Sequence, residues 1–220
     1  MKYTDAESLL EGEFPIAVRR YLYPIFERGE IAFNEIMEDP LYQSSFSANI
    51  SGWLSNFLVC RQFEPDMLDS GFPLEVEIRR VNNFNYKALF LHSKHAMVNV
   101  AKGSSMKNAF PGRSKYRLRA CQNNNILQNT LFWDFEDGGK IVEDKYFLLL
   151  TYHMKMKELA YVNLMVPDVN MVESLKTYNL KSEIHVYPQN KVEDEPIITG
   201  IKEEALEALK QKKKLGGINE

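Results

Sequence analysis

Between Ile78 and Trp133 the sequence contains no aspartate and no glutamate. The same span holds ten cations: Arg79, Arg80, Lys87, Lys94, Lys102, Lys107, Arg113, Lys115, Arg117 and Arg119. The whole chain of 220 residues has a formal charge of −3. A strongly basic middle is therefore set between acidic flanks, and residues 1–77 alone carry 14 acids. Other shortages narrow the class. There are only two cysteines, Cys60 and Cys121, too few for a disulfide framework, so free thiols in a reducing cytoplasm are expected. Nine Pro and eleven Gly exclude a fibrous or low-complexity chain. No apolar run approaches the roughly 20 residues of a membrane helix, and the longest, Tyr146 to Tyr152, has the length of a strand. No membrane partner is expected. The polar, acidic start, Met1 to Glu7, does not read as a signal peptide.

What is present points to an α+β fold: an N-terminal helical region packed on a mostly antiparallel sheet, with a C-terminal helix. Residues 1–187 are expected as one domain, helical over 1–70 and sheet over 71–187. An acidic connector and a basic helix are expected over 188–220. Thr4 or Asp5 can cap a first helix through Leu9 and Leu10. Pro15 suits the first turn of a second helix, with Ile16, Ala17, Tyr21, Leu22, Ile25 and Phe26 repeating near 3.6. Pro24 inside that pattern predicts a kink or break. A further helix is expected over Ile50 to Gln62, with Trp53, Leu54, Phe57 and Leu58 facing inward.

Alternation over Leu74 to Arg79 reads as a half-buried strand. Tyr86 to His92 and Leu131 to Phe135 are further strand candidates. Asp137-Gly138-Gly139 is a hairpin signal. Tyr146 to His153 should pair antiparallel with Tyr161 to Val166, burying Phe147, Leu149, Val162 and Leu164. Val169 to Thr177 reads as a short helix and Ile184 to Tyr187 as a last strand. Residues 201–215 read as a helix ending in lysines.

The functional reading rests on the basic segment. Its densest part is Arg113-Ser114-Lys115-Tyr116-Arg117-Leu118-Arg119, with Lys102 and Lys107 before it and Asn123 to Asn125 after. Cations bind phosphates, an aromatic ring stacks a base, and amides read a base edge. A nucleic-acid-binding protein, for DNA or RNA, is the leading expectation. Two alternatives stay open: the segment is neutralised by the acidic helices of this same chain, or its basic face meets an acidic protein partner.

Motif frames are scarce. Lys102-Gly103-Ser104-Ser105 lacks the Gly-x4-Gly-Lys phosphate loop, and no Ser-centred elbow or His-Glu-x-x-His occurs. His92 and His95 have a metal-like spacing but no third ligand nearby. Cys121 stands two residues from a cation, Arg119, either as a nucleophile or as a core thiol. Asp134 lies nine residues before Glu143-Asp144-Lys145. This spacing resembles the PD-(D/E)xK nuclease superfamily, although here the apolar strand follows the lysine instead of leading into the acid. The resemblance implies Mg²⁺ held by Asp134 and Glu143, with Lys145 orienting the attacking water.

Overall fold

The N-terminal third is helical, and its caps and apolar spacing explain where each helix starts and turns. In a computed structural model, which describes residues 3–82, 86–128, 145–155 and 157–184, Asp5 caps α1 (Ala6–Glu13) by accepting from the Ser8 N–H at 2.8 Å. Leu9, Leu10 and Phe14 are fully buried. Pro15 precedes α2 (Ile16–Glu38), which runs unbroken through Pro24. The expected break does not occur. The carbonyl that Pro24 leaves without a helical donor belongs to Arg20, an exposed residue, so the lost bond is not left in a buried site.

α3 (Ser47–Arg61) packs on α2 with Leu54, Leu58 and Val59 inward. Trp53 and Phe57, expected inward, are exposed. The four expected residues span about 140° of the helix circumference, and the contact with α2 takes only the half that holds Leu54 and Leu58. The crossing is close because α2 offers Gly29, where a Cβ would sit 2.8 Å from Val59 Cγ2 and 3.0 Å from Val59 Cα. Backbone cannot rotate away as a side-chain tip can. Gly29→Ala should therefore lower stability by about 1–3 kcal/mol despite alanine's better helix propensity. A urea midpoint equal to or above wild type would show that the helices have room to spare.

Among the described residues, six strands follow in sheet order: β1 (Glu75–Arg80), β2 (Lys87–His92), β3 (Ala96–Lys102), β4 (Tyr146–Lys155), β5 (Glu158–Pro167) and β6 (Ser174–Asn179). All neighbours are antiparallel except β3 and β4, which pair in parallel with Val98 opposite Leu148. A parallel pair needs a crossover. It contains α4 (Lys115–Cys121) and a 3-10 segment, Gln122–Gln128.

The crossover covers one face of the sheet. Phe90, Met97, Phe147, Leu149 and Met165 meet Cys121 of α4 there, with Tyr116 and Leu118 packed alongside. The alternate residues belong to the other face, where Tyr152 of β4 touches the Phe26 ring of α2. Both faces of β4 are thus covered, which explains its continuous apolar run. The pairing of β4 with β5 is as expected, and Phe147, Leu149, Val162 and Leu164 are fully buried.

Val169 to Thr177 is not a helix. Asp168 accepts from the Val172 and Glu173 N–H groups and closes a turn in which Met171 has φ 54°. The chain then leaves as edge strand β6. Ile184, expected to start a strand, ends α5 (Leu180–Ile184). The described residues fall in one compact unit, Met1–Pro188. Five expectations lie outside the described residues: the strand over 131–135, the turn at 137–139, residues 185–187 of the last strand, the connector over 188–200 and the helix over 201–215. No described helix is long and apolar enough to cross a membrane.

Candidate nucleic-acid interface

The densest basic stretch is a helix with two distinct sides. Ser114, extended, starts α4. Lys115 and Arg119, four residues apart, lie on one exposed face, and Arg113 is exposed just before them. Lys107 is exposed on the loop that follows β3. That loop is ordered by its own turn bonds, Ser105 N–H to Asn108 O at 3.1 Å and Ser104 N–H to Phe110 O at 3.0 Å. The Tyr161 hydroxyl of β5 also donates to Ser105 O at 3.0 Å. Among the described residues, no carboxylate pairs with Lys107, Arg113, Lys115 or Arg119.

The other three residues of the expected site turn inward. Arg117 is buried, donating from Nε to Asn99 Oδ1 at 2.8 Å and from Nη1 to Gly112 O at 2.7 Å. Its guanidinium also lies 5.0 Å from the Tyr116 ring centroid. These acceptors use the donors that a phosphate would need. The Tyr116 hydroxyl donates to Asn99 Oδ1, its ring edge meets Phe90, and burial pushes its pKa up. Lys102 points to the opposite face, where Nζ donates to Ser55 Oγ at 3.0 Å. Burial pushes its ammonium pKa down. Two of the three amides expected to read bases, Asn123 and Asn124, are spent on the fold as well. Asn123 donates to Lys145 O, and buried Asn124 bonds both backbone groups of Phe147.

Asp134 and Glu143 lie outside the described residues, so the acid pair expected to hold Mg²⁺ does too. Lys145 is described, and it stands at the end of a chain of polar contacts. Its Nζ donates to Ser93 O at 3.1 Å and lies 3.4 Å from His92 Nδ1. His92 Nε2 meets Glu77 Oε2 at 2.8 Å, and Arg79 holds both oxygens of Glu77 at 2.8 and 2.7 Å. The hydrogen bonds from Arg79 hold the Glu77 carboxyl below its usual range against the opposing effect of burial, and His92 adds to them.

This chain was not foreseen from the sequence. Its signal was the alternation that puts Glu77 and Arg79 on one face of β1, diagonal to the end of β2. Arg79 also lies 5.2 Å from the Phe90 ring that Tyr116 of α4 touches, so the cluster and α4 share one sheet face.

The two histidines go to separate carboxylates, His92 to Glu77 and His95 to Glu13. Among the described residues, no group of three or more His, Cys, Asp or Glu is placed to hold a metal ion. Cys121 is fully buried, and burial pushes its thiol up to about 12, which is the behaviour of a core side chain. No protein-family model matches the chain, and neither does any curated protein or solved structure.

Proposed function

We propose that the protein binds nucleic acid through Lys107, Arg113, Lys115 and Arg119, with phosphates as the recognised groups. One observation carries this reading. The four side chains are exposed and lack carboxylate partners among the described residues. They belong to the crossover, which covers the sheet face opposite α2 and α3, so the acidic helices are poorly placed to neutralise them. An unpaired cation cluster attracts a polyanion and releases its condensed counterions.

The test replaces all four by alanine. Wild-type affinity should fall with salt at a log–log slope of about 0.7–0.9 per phosphate contact, and the variant should lose up to about 3 of that slope. Thermal stability should hold to about 1 kcal/mol per site or better, because exposed charges contribute little. Wild-type protein that retains neither DNA nor RNA at about 50 mM salt would overturn the proposal. An acidic protein partner for the same face would then be the better reading.

A second reading, that the bound strand is also cut, is favoured by the position of Lys145. Its ammonium stands beside His92, which in turn meets Glu77, on the sheet face that α4 covers. Asp134 and Glu143 would supply the Mg²⁺ ligands. Asp134→Asn should then abolish Mg²⁺-dependent cleavage while binding persists. Equal cleavage by the variant, or none by wild type with Mg²⁺, would remove this reading and leave binding intact.

A further inference from the structure

α3 has a second apolar face that nothing in the described structure covers. Phe46 at its N-cap position is 75% exposed, and Ile50, Trp53 and Phe57 are 42%, 70% and 49% exposed. Leu41, in the turn before the helix, is 77% exposed. Steps of four, three and four residues along 46, 50, 53 and 57 are the spacing of a helix–helix seam. The four positions fall within an arc of about 60°, beside the buried Leu54 and Leu58 and opposite the buried Ser55 and Val59. The Trp53 and Phe57 rings already stack, with centroids 5.7 Å apart and planes 13° apart, so little ordering is left for a partner to impose.

We propose that this face is the interface of a homodimer, formed by α3 against α3 of a second copy around a two-fold axis. Charge is the first reason for choosing a second copy. From Pro40 to Cys60 the sequence has no charged residue. In a two-fold contact each group approaches its own duplicate, so a charged stripe repels itself and a neutral one does not. The same neutrality disfavours a nucleic acid or an anionic membrane. Lys102, the cation bonded to this helix, has its ammonium on Ser55 Oγ and the Gly52 carbonyl.

Area is the second reason. The four side chains of the stripe leave roughly 500 Å² of mostly apolar surface in water, against about 800 Å² per partner in a standard interface. A patch of that size is in the upper part of what a monomer ordinarily exposes, about 300–600 Å², and the largest patches are often functional. The polar neighbours Ser47, Asn49 and Ser51 would supply the rim.

Analytical ultracentrifugation of the full chain should give twice the 25.6 kDa chain mass at tens of micromolar. Trp53→Glu/Phe57→Glu should halve that mass while keeping the wild-type far-UV spectrum, because the inner face of α3 is untouched. A second measurement does not depend on that variant folding. Ile50→Cys, in the middle of the stripe, should form an interchain disulfide on mild oxidation, whereas Glu173→Cys should not. A wild-type chain that stays monomeric at about 100 µM would overturn the proposal. So would a dimer that survives the double glutamate variant. A monomer that floats with neutral phosphatidylcholine vesicles would assign the stripe to a lipid surface instead.

Discussion

Arg117→Ala should destabilise the protein by about 3 kcal/mol, whereas alanine at Arg113, Lys115 or Arg119 should cost less than about 1 kcal/mol. The four look equivalent in the sequence. Only Arg117 is buried, where it satisfies Asn99 Oδ1 and the Gly112 carbonyl together. Truncation leaves a buried amide oxygen without its main donor, with only the longer Tyr116 contact at 3.2 Å remaining. Lysine should not rescue the site, because a single ammonium cannot reproduce the fork of donors. The double variant Asn99→Leu/Arg117→Met should lose less than the sum of its singles, since removing both partners removes the unmet bond. Urea titrations of these variants decide the matter. Additive losses would mean that the two side chains act separately. An Arg117→Ala protein as stable as wild type would place the guanidinium outside the core.

Glu13→Gln should cost about 3 kcal/mol at neutral pH, and that difference should fade in acid. Glu13, at the end of α1, accepts from the Ser93 hydroxyl at 2.5 Å, Tyr3 hydroxyl at 2.7 Å and His95 N–H at 3.0 Å. Ser93 and the His95 N–H take Oε2, and His95 Nδ1 lies 2.8 Å from Oε1, the oxygen that Tyr3 also bonds. Burial alone would push this carboxyl up. The bonds from Ser93, His95 and Tyr3 outweigh it and bring the pKa from 4.5 down to about 2.

A folded pKa below the unfolded one means that the unfolded chain binds the extra proton first. The stabilisation is therefore complete above about pH 4.5 and is lost as the pH falls towards 2. Glutamine has no such titration. It also turns an N–H₂ group towards donors, so wild type and variant should converge in denaturant midpoint near pH 2. A gap as wide at pH 2 as at pH 7 would mean that Glu13 stabilises by shape alone.

These two residues mark the boundary of what the sequence makes legible. Strand periodicity is local, so the pairing of β4 with β5 could be read from Tyr146–His153 and Tyr161–Val166, and the structure places them together. The helical N-terminus and the cap at Asp5 are local in the same sense. The parallel joint between β3 and β4 was not legible, because it depends on where a distant crossover lands. α4 hides both periods, since its charges and its aromatic share seven residues and only tertiary packing sorts them. Trp53 and Phe57 were placed inward because large aromatics usually are; burial on α3 was decided by the partner surface available. Of the candidate site, the exposed cations were visible as composition. The Arg79–Glu77–His92–Lys145 chain spans β1, β2 and the start of β4, and local spacing encodes only its β1 pair, Glu77 and Arg79.

The one parallel joint also divides the sheet in time. On each side of it lie three strands joined consecutively and paired antiparallel, β1–β2–β3 and β4–β5–β6. Each half is built from neighbours in sequence, and closing such short loops costs little entropy. The seam between the halves has to wait for the whole crossover, from Gly103 to Lys145, to be drawn across the sheet. Folding should therefore be limited by the seam. Arg117 of α4 and its partner Asn99 tie the crossover to β3, so weakening that pair should slow folding.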